Sequence, residues 1–166
     1  MNPTRIALAA AFSVAAFSGV AEASEANFLK RFNGSFTGGG HVRLNTDGDA
    51  HQISCKVSGT SSGSKLNIGG TCSAGMMSKN ISATLRAGAN GSYSGTYNGV
   101  DGSSSLSGRR KGNTIVLSLR GKKPATMTIH SSGDSIALTV TAQKTQMTRV
   151  NLARAAGGPQ LASASE

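Results

Sequence analysis

The chain has 166 residues, with 17 lysines and arginines against 7 aspartates and glutamates, and a net charge of +10 at neutral pH. This length fits a single domain, and the 22 glycines and absence of tryptophan indicate a chain with little aromatic bulk. The few carboxylates lie mostly in predicted turns or near the termini, whereas acid–base catalysis needs them around a cleft. We therefore predict a protein that is not an enzyme and needs no cofactor.

The first 23 residues have the three regions of a secretory signal. A polar start with Arg5 precedes an apolar run over residues 6–20, and Ala21-Glu22-Ala23 forms a small-x-small ending. The apolar run is shorter than the roughly 20 residues that a membrane-spanning helix needs. We predict a signal peptide over residues 1–23, a periplasmic or secreted protein, and no transmembrane segment after cleavage.

The next 132 residues, 24–155, are predicted to form one domain that begins with a short helical turn over residues 26–31. From residue 32 to residue 142 apolar residues alternate with polar ones, the period of a β-strand with one buried face. The residues that share a face within each run are Ile53, Cys55 and Val57; Leu66, Ile68 and Cys72; Ile81, Ala83 and Leu85; Ile115, Leu117 and Leu119; and Ile136, Leu138, Val140 and Ala142.

Turn-forming pairs such as Asp47-Gly48, Asn90-Gly91 and Asp101-Gly102 separate these runs at short intervals. Short strands at this spacing predict an all-β protein, an antiparallel up-and-down meander closed into a small barrel of about 8–10 strands. Residues 143–155 are predicted to form a last strand with an irregular end, and residues 156–166 a disordered tail. Small residues at many inward positions leave two alternatives, a narrow interior or an open cavity.

Cys55 and Cys72 are the only two cysteines, and each shares a face with the apolar residues of its own predicted strand. Exported proteins fold in an oxidising compartment, where two cysteines in a short chain favour a disulfide. A redox-active pair is disfavoured, because the two cysteines do not form a Cys-x-x-Cys motif. We predict one disulfide, Cys55–Cys72.

Three histidines and one acidic series are weak candidates for metal ligands. His41, His51 and His130 have no spacing typical of a metal site, and we interpret them as solvated or hydrogen-bonded. Asn45, Asp47 and Asp49 resemble the start of a calcium loop, but a Lys stands where such a loop needs its last Glu. We predict no metal site.

Two basic clusters flank one predicted strand and should lie at opposite ends of the barrel. They are the candidate anion-contacting residues: Arg109, Arg110, Lys111, Arg120, Lys122 and Lys123. Nucleic-acid binding is not predicted, because neither a recognition helix nor aromatic stacking residues accompany them. A solvated charged rim and contact with an anionic envelope component or an envelope protein remain two open interpretations.

The segment Phe32-Asn33-Gly34-Ser35-Phe36 resembles the Gly-x-Trp start of lipocalin-like barrels, with Phe36 in the place of the tryptophan. The body of the chain is similar to uncharacterised small exported lipocalin-like β-barrel proteins of alphaproteobacteria. A second resemblance is to periplasmic inhibitors of secreted metalloproteases, in which Cys55 to Cys72 would be the bridged segment. That resemblance implies that residues 24–27 form an exposed, extended trunk.

These features support three hypotheses for function. The first is a non-catalytic periplasmic barrel that binds a component of the cell envelope or supports its integrity. The second is a lipocalin-like carrier that holds a small apolar ligand inside the barrel. The third is an inhibitor of secreted metalloproteases. A carrier requires an apolar pocket of roughly 300 Å³ or more, so the state of the interior separates the first two.

Overall fold

The computed structural model describes residues 19–156, which form one helix and ten strands. The helix α1 (Gly19–Leu29) leads into a 3-10 turn (Lys30–Phe32), and a second 3-10 turn (Ala89–Gly91) connects β4 to β5. The strands are β1 (Gly34–Val42), β2 (His51–Ser62), β3 (Lys65–Ala74), β4 (Met77–Ala87), β5 (Ser92–Gly99), β6 (Gly102–Lys111), β7 (Thr114–Arg120), β8 (Ala125–Ser131), β9 (Ser135–Ala142) and β10 (Thr145–Arg154). Most of the predicted signal peptide and nearly all of the predicted tail lie outside the described residues.

Each strand pairs antiparallel with the next one in the chain, and β1 pairs with β10 to close the barrel. This confirms the predicted all-β, up-and-down barrel, with a strand number at the top of the expected range. Closure satisfies the backbone groups that an open sheet would leave along its two edges. Within residues 19–156, no helix has the length and apolar character that crossing a membrane requires.

Two turns lack the Asn-Gly or Asp-Gly pairs that mark tight hairpins, which explains why single strands are hard to count from the sequence. The β9–β10 turn consists of Gln143 and Lys144, both at positive φ, a conformation that favours Gly or Asn. The β3–β4 turn uses Gly75 at positive φ, followed by Met76. The antiparallel pairing of β9 with β10 and of β3 with β4 continues up to these turns and holds them in place.

Glycines in β1 let the barrel close tightly against β10. Gly38 and Gly40 lie on the inward face, alternating with the inward side chains of Phe36 and Val42. A Cβ at Gly40 would collide with the backbone of Arg149 on β10, and a Cβ at Gly38 would collide with the same strand. The two strands can therefore approach only because these positions carry no side chain.

One end of the barrel is closed by α1 and the 3-10 turn that follows it. Phe28, Leu29 and Phe32 are buried there, and the rings of Phe28 and Phe32 meet edge to face with centroids 5.5 Å apart. The guanidinium of Arg154, at the end of β10, lies over the Phe36 ring and donates to the carbonyl oxygen of Asn33. We call this the closed end; the other end, where β1 finishes and β2 begins, is the open end.

The same helix corrects two expectations. The helical segment extends well beyond residues 26–31, since α1 begins at Gly19 and continues through the predicted cleavage position. Residues 24–27 are helical, with the Glu25 side chain buried, so they do not form the extended, exposed trunk that the inhibitor resemblance implies. Only Glu25 of these four residues is buried, and its contact with Arg110 holds the helical segment on the barrel.

Candidate functional site

The barrel encloses a cavity of about 400 Å³ that extends from its middle to the open end. Inward side chains of all ten strands line it, and these side chains are mainly aliphatic. Representative members are Ile53, Ile68, Ile81, Leu138, Val140 and Val150. Of the two interiors that the sequence allowed, the structure has the open cavity.

The floor of the cavity is formed by large side chains near the closed end. Phe36, Leu85 and Leu117 are almost completely buried, and Phe32 brings the N-terminal segment into the same floor. Because α1 covers this end, the cavity communicates with solvent at the open end. A ligand would therefore enter between the loops that connect β1 to β2, β3 to β4 and β5 to β6.

The mouth of the cavity is bordered by exposed side chains on those loops and strand ends. Leu44, Met77 and Val100 border the cavity, and each remains more than half exposed to solvent. Lys79 and His51 also border it and are exposed. The opening therefore combines apolar side chains with two groups that can carry positive charge.

Polar groups are few among the residues that line the cavity. The titratable ones are His51, Lys79 and Tyr97, and the lining residues that the structure describes include no carboxylate. Burial raises the pKa of the Tyr97 phenol, and the negative charge of Asp101 adds to that effect. The lining thus offers mainly apolar surface, with an ammonium and an imidazole at the mouth and no carboxylate among its described residues.

The disulfide stiffens the wall of the cavity. Cys55 on β2 and Cys72 on β3 are directly paired residues with Cα atoms 4.1 Å apart, and they form the predicted bridge. Both cysteines border the cavity, and Cys55 is buried. The bridge fixes the register of the β2–β3 hairpin, because only this pairing brings the two sulfur atoms together.

A buried ionic cluster joins α1 to the wall at the closed end, and the sequence did not reveal it. The Glu25 carboxylate accepts hydrogen bonds from the Arg110 guanidinium at 2.6 Å and from the Tyr93 hydroxyl at 2.5 Å. The Arg110 group also lies over the Phe28 ring. The hydrogen bonds from Arg110 are the main reason that the pKa of Glu25 is lowered, and burial opposes them. The cluster attaches the helix to β5 and β6.

The two basic clusters lie at opposite ends of the barrel, as the meander predicted. Arg109 and Lys111 are exposed at the closed end, and Arg120, Lys122 and Lys123 are exposed at the open end. Arg110 departs from the expectation of an anion-contacting residue, since its side chain faces inward and is bound by Glu25. The alternation along β6 explains this, because Leu106, Gly108 and Arg110 share the inward face.

The remaining candidate residues stay apart from one another. His130 on β8 pairs with the hydroxyl of Thr114, His41 lies within β1, and Asp47 and Asp49 belong to the β1–β2 loop. Among residues 19–156, no three potential ligands of the His, Cys, Asp or Glu type come together in a way that could hold a metal ion.

One further serine motif is present in the sequence. Gly59-Thr60-Ser61-Ser62-Gly63 has the spacing of the nucleophile elbow of α/β-hydrolases. In the structure it forms the end of β2 and the hairpin to β3, whereas the elbow requires a strand followed by a helix. The backbone amide of Ser61 is bound by the Asn33 side chain. The segment therefore closes a hairpin at the closed end.

Comparison with known protein families finds no match to the sequence, and no curated protein matches it. Among solved structures, the fold is similar to the crystal structure of Rv2717c from M. tuberculosis, with a TM-score of 0.56. The two chains are 17% identical, and the match covers 78% of this chain and 96% of that one. At this identity the similarity concerns the fold alone.

Proposed function

We propose that this protein is a non-catalytic, exported barrel that carries a small apolar ligand in its interior. The observation that supports the proposal is the cavity of about 400 Å³, which opens at one end and has an aliphatic lining. Its volume falls within the roughly 300 to 1,000 Å³ typical of small-molecule sites. On the strength of this cavity we prefer the carrier hypothesis to the envelope-support hypothesis, which the sequence alone favoured.

The few polar groups at the site narrow the ligand class. Lys79 at the mouth offers an ammonium group, and the described lining includes no carboxylate to repel an anion. A molecule with an apolar body and an acidic or neutral polar end would place its body among the aliphatic side chains. Its polar end would lie at the mouth, near Lys79 and His51. This orientation leaves the buried lining in contact with apolar atoms only.

Export is part of the proposal and rests on residues 1–23. Cleavage after Ala23 would leave Ser24 and Glu25 at the start of the mature chain, so the carboxylate that binds Arg110 would be retained. A carrier in the periplasm or outside the cell would meet apolar molecules that water dissolves poorly.

The test is a fluorescence titration with N-phenyl-1-naphthylamine, a small apolar probe that becomes bright in apolar surroundings. The unmodified protein should enhance its emission with saturable binding. Ala83→Phe places a ring in the cavity from β4 and should weaken probe binding at least tenfold. Ser118→Phe, which adds the same ring to an exposed position on the outside of β7, should bind like the unmodified protein.

Circular dichroism of both variants checks that the strands persist. Should Ala83→Phe fail to fold, Ala83→Leu replaces it as the smaller obstruction. Saturable binding that both phenylalanine variants retain, or lack of saturable binding by the unmodified protein, would contradict the carrier proposal. Native mass spectrometry of protein purified from its own envelope would then identify any retained molecule.

The envelope-support hypothesis is the second candidate, and the observation that favours it is the exposed positive charge. Arg109 and Lys111 at one end, and Arg120, Lys122 and Lys123 at the other, belong to a chain with a net charge of +10. Such a surface attracts anionic polymers and headgroups. The inhibitor hypothesis loses its main support, because residues 24–27 are helical rather than extended, and Glu25 is bound to Arg110 on the barrel.

A further inference from the structure

Large exposed hydrophobic side chains are concentrated at the open end of the barrel. Within the described residues there are five of them, and four belong to loops or strand ends at this end: Leu44, Met76, Met77 and Val100. We call these four residues the apolar rim. The fifth, Val116, lies in the middle of β7 on the outer wall. Met76 is completely exposed, although contact of an apolar side chain with water costs free energy.

The apolar rim occupies three consecutive connections around the mouth, and positive charge occupies the other two. Leu44 lies between β1 and β2, Met76 and Met77 at the β3–β4 turn, and Val100 between β5 and β6. The β7–β8 and β9–β10 connections carry the basic rim, which contains no carboxylate: Arg120, Lys122, Lys123 and Lys144. Because the barrel is closed, the two rims together encircle the mouth of the cavity.

We propose that the open end docks onto an anionic lipid bilayer, with the apolar rim inserted at the boundary of headgroups and acyl chains and the basic rim on lipid phosphates. Insertion removes the four apolar side chains from water, and the lysines provide attraction to negative headgroups. The proposal concerns the apolar rim and the basic rim and does not depend on what the cavity holds.

The shape of the rim favours a bilayer over a protein partner. A stable protein interface needs roughly 800 Å² of continuous surface on each side. Here the apolar side chains project from three separate turns, and a cavity mouth interrupts the surface between them. A fluid lipid surface accommodates separate projecting side chains at any spacing, because the lipids rearrange around each one.

The acidic residues at this end are partly neutralised within the chain. Asp101 forms an ion pair with Lys123 at 3.2 Å, and Lys123 also donates to the carbonyl oxygen of Leu44. These two contacts tie the β1–β2 and β5–β6 loops to the basic rim. Because Lys123 is paired in this way, Lys122, Lys144 and Arg120 are the cations most suited to contact phosphate. Asp47 and Asp49 lie on the β1–β2 loop, which belongs to the apolar side of the mouth.

Docking in this orientation would place the mouth of the cavity against the lipid. A molecule leaving the bilayer could enter between the apolar side chains without crossing water. This consequence rests on the proposed carrier function, whereas the docking itself does not.

Co-sedimentation with vesicles, in the absence of any added ligand, tests the docking. The unmodified protein should sediment with phosphatidylglycerol–phosphatidylcholine vesicles at least tenfold more strongly than with pure phosphatidylcholine vesicles. Met76→Asp and Val100→Asp should each reduce binding to the anionic vesicles severalfold or more. Val116→Asp makes the same change of charge on the outer wall and should leave binding nearly unchanged, which separates insertion from charge alone.

A second set of variants tests the basic rim. The double variant Lys122→Ser, Lys144→Ser should weaken binding severalfold, and raising the salt from about 0.05 to about 0.5 M should do the same, because screening then acts within a few ångströms. Lys111→Ser removes a cation at the closed end and should bind as before.

Three results would overturn the proposal. They are equal sedimentation with neutral and anionic vesicles, no sedimentation with either, and equal loss of binding in Met76→Asp and Val116→Asp. Capture of a protein by the open end without any binding to vesicles would count against it in the same way. Probe binding in solution is measured separately, so failure of docking and failure of the carrier function are distinguishable.

Discussion

At the scale of single residues, the phenols and the cysteines show how the barrel changes the chemistry of side chains. Tyr93 and Tyr97 both project inward from β5, one toward the closed end and the other toward the cavity. Their neighbours differ, since Tyr93 donates to Glu25 and Tyr97 lies near Asp101. In both cases burial is the largest effect on the phenol, and it favours the neutral form.

The two tyrosines should therefore ionise at higher pH in the folded protein than in the unfolded chain. Burial and the Glu25 carboxylate raise the pKa of Tyr93, and burial and Asp101 raise the pKa of Tyr97. Because both pKa values are raised, the neutral phenols contribute fully to the free energy of unfolding below about pH 10. This contribution is lost as the pH rises above that value. Phenolate absorbance, followed in native protein and in guanidinium, measures this. A native midpoint near 10 for both phenols would contradict the assignment, and Tyr97→Phe isolates Tyr93.

Loss of the disulfide should destabilise the protein without changing its fold. The bridge joins two cysteines with a sequence separation of 17. By lowering the chain entropy of the unfolded state, a loop of this size stabilises the folded protein by about 3 kcal/mol. Urea unfolding of Cys55→Ser should show a loss of about 2 to 5 kcal/mol. Thiol labelling of the oxidised, unmodified protein should find neither Cys55 nor Cys72 reactive; two reactive thiols would refute the bridge.

At the scale of secondary-structure elements, α1 contributes a closure rather than a separate layer. Its buried Phe28 and Leu29 cover the closed end, and its buried Glu25 binds Arg110 on β6. A buried carboxylate is tolerated only when its charge is compensated, and here a guanidinium and a phenol provide that compensation. The helix is therefore held by both apolar burial and a specific ionic contact.

Glu25→Gln should loosen this closure, because it leaves the largely buried Arg110 without its anion. Breaking a buried ion pair costs about 3 to 5 kcal/mol, and we expect the lower end because Arg110 is partly exposed. The pKa of Glu25 is lowered on folding, so its contribution is complete above about pH 4.5 and is lost as the pH falls through the folded value.

Urea unfolding between about pH 3 and 7 measures both effects. The free energy of unfolding of the unmodified protein should fall as the pH is lowered, and that of Glu25→Gln should fall less. Asp134→Asn is the matched control, since it removes the carboxylate of an ion pair with Arg154 that lies at the surface. Exposed pairs contribute little, so this variant should unfold nearly as the unmodified protein does. Equal effects of the two substitutions would show that Glu25 has no special role in holding α1.

At the scale of the whole molecule, closure of the barrel depends on the contact between the first and last strands. β1 pairs with β2 and β10, so one inward position on β1 influences the entire ring of strands. Gly38 and Gly40 therefore contribute to closure, because a side chain at either position would meet the backbone of β10.

Gly40→Ala should weaken this closure, because its Cβ would meet the backbone of Arg149 and Val150, which cannot move aside as a flexible side chain would. Overpacking of this kind costs about 1 to 3 kcal/mol. Gly69→Ala on β3 is the control, since a Cβ there meets no neighbouring atom, and it should be neutral or slightly stabilising. The urea midpoints of the two variants measure this difference in stability. Similar midpoints would argue against tight contact between β1 and β10.

Much of the fold follows from the sequence by itself. Period-two alternation around residues such as Leu66, Leu117 and Leu138 determines which side chains face inward, because successive side chains of a strand point to opposite faces. Short turns allow only neighbouring strands to pair, which leads to a meander. Cys55 and Cys72 share the inward face, so their bridge also follows from periodicity.

Only the tertiary structure decided the state of the interior and the roles of several charged and apolar residues. Whether small inward residues leave a cavity depends on the curvature of ten strands and on how far the N-terminal segment enters, and local patterns contain neither quantity. Glu25 meets Arg110 across 85 positions of sequence, a pairing that no spacing rule reports. The apolar rim is likewise assembled from turns far apart in the chain. In the sequence, the apolar rim is indicated locally only by Met76 and Met77, two hydrophobic residues that follow a glycine turn. Closure of the barrel brings them together with Leu44 and Val100 around a single mouth.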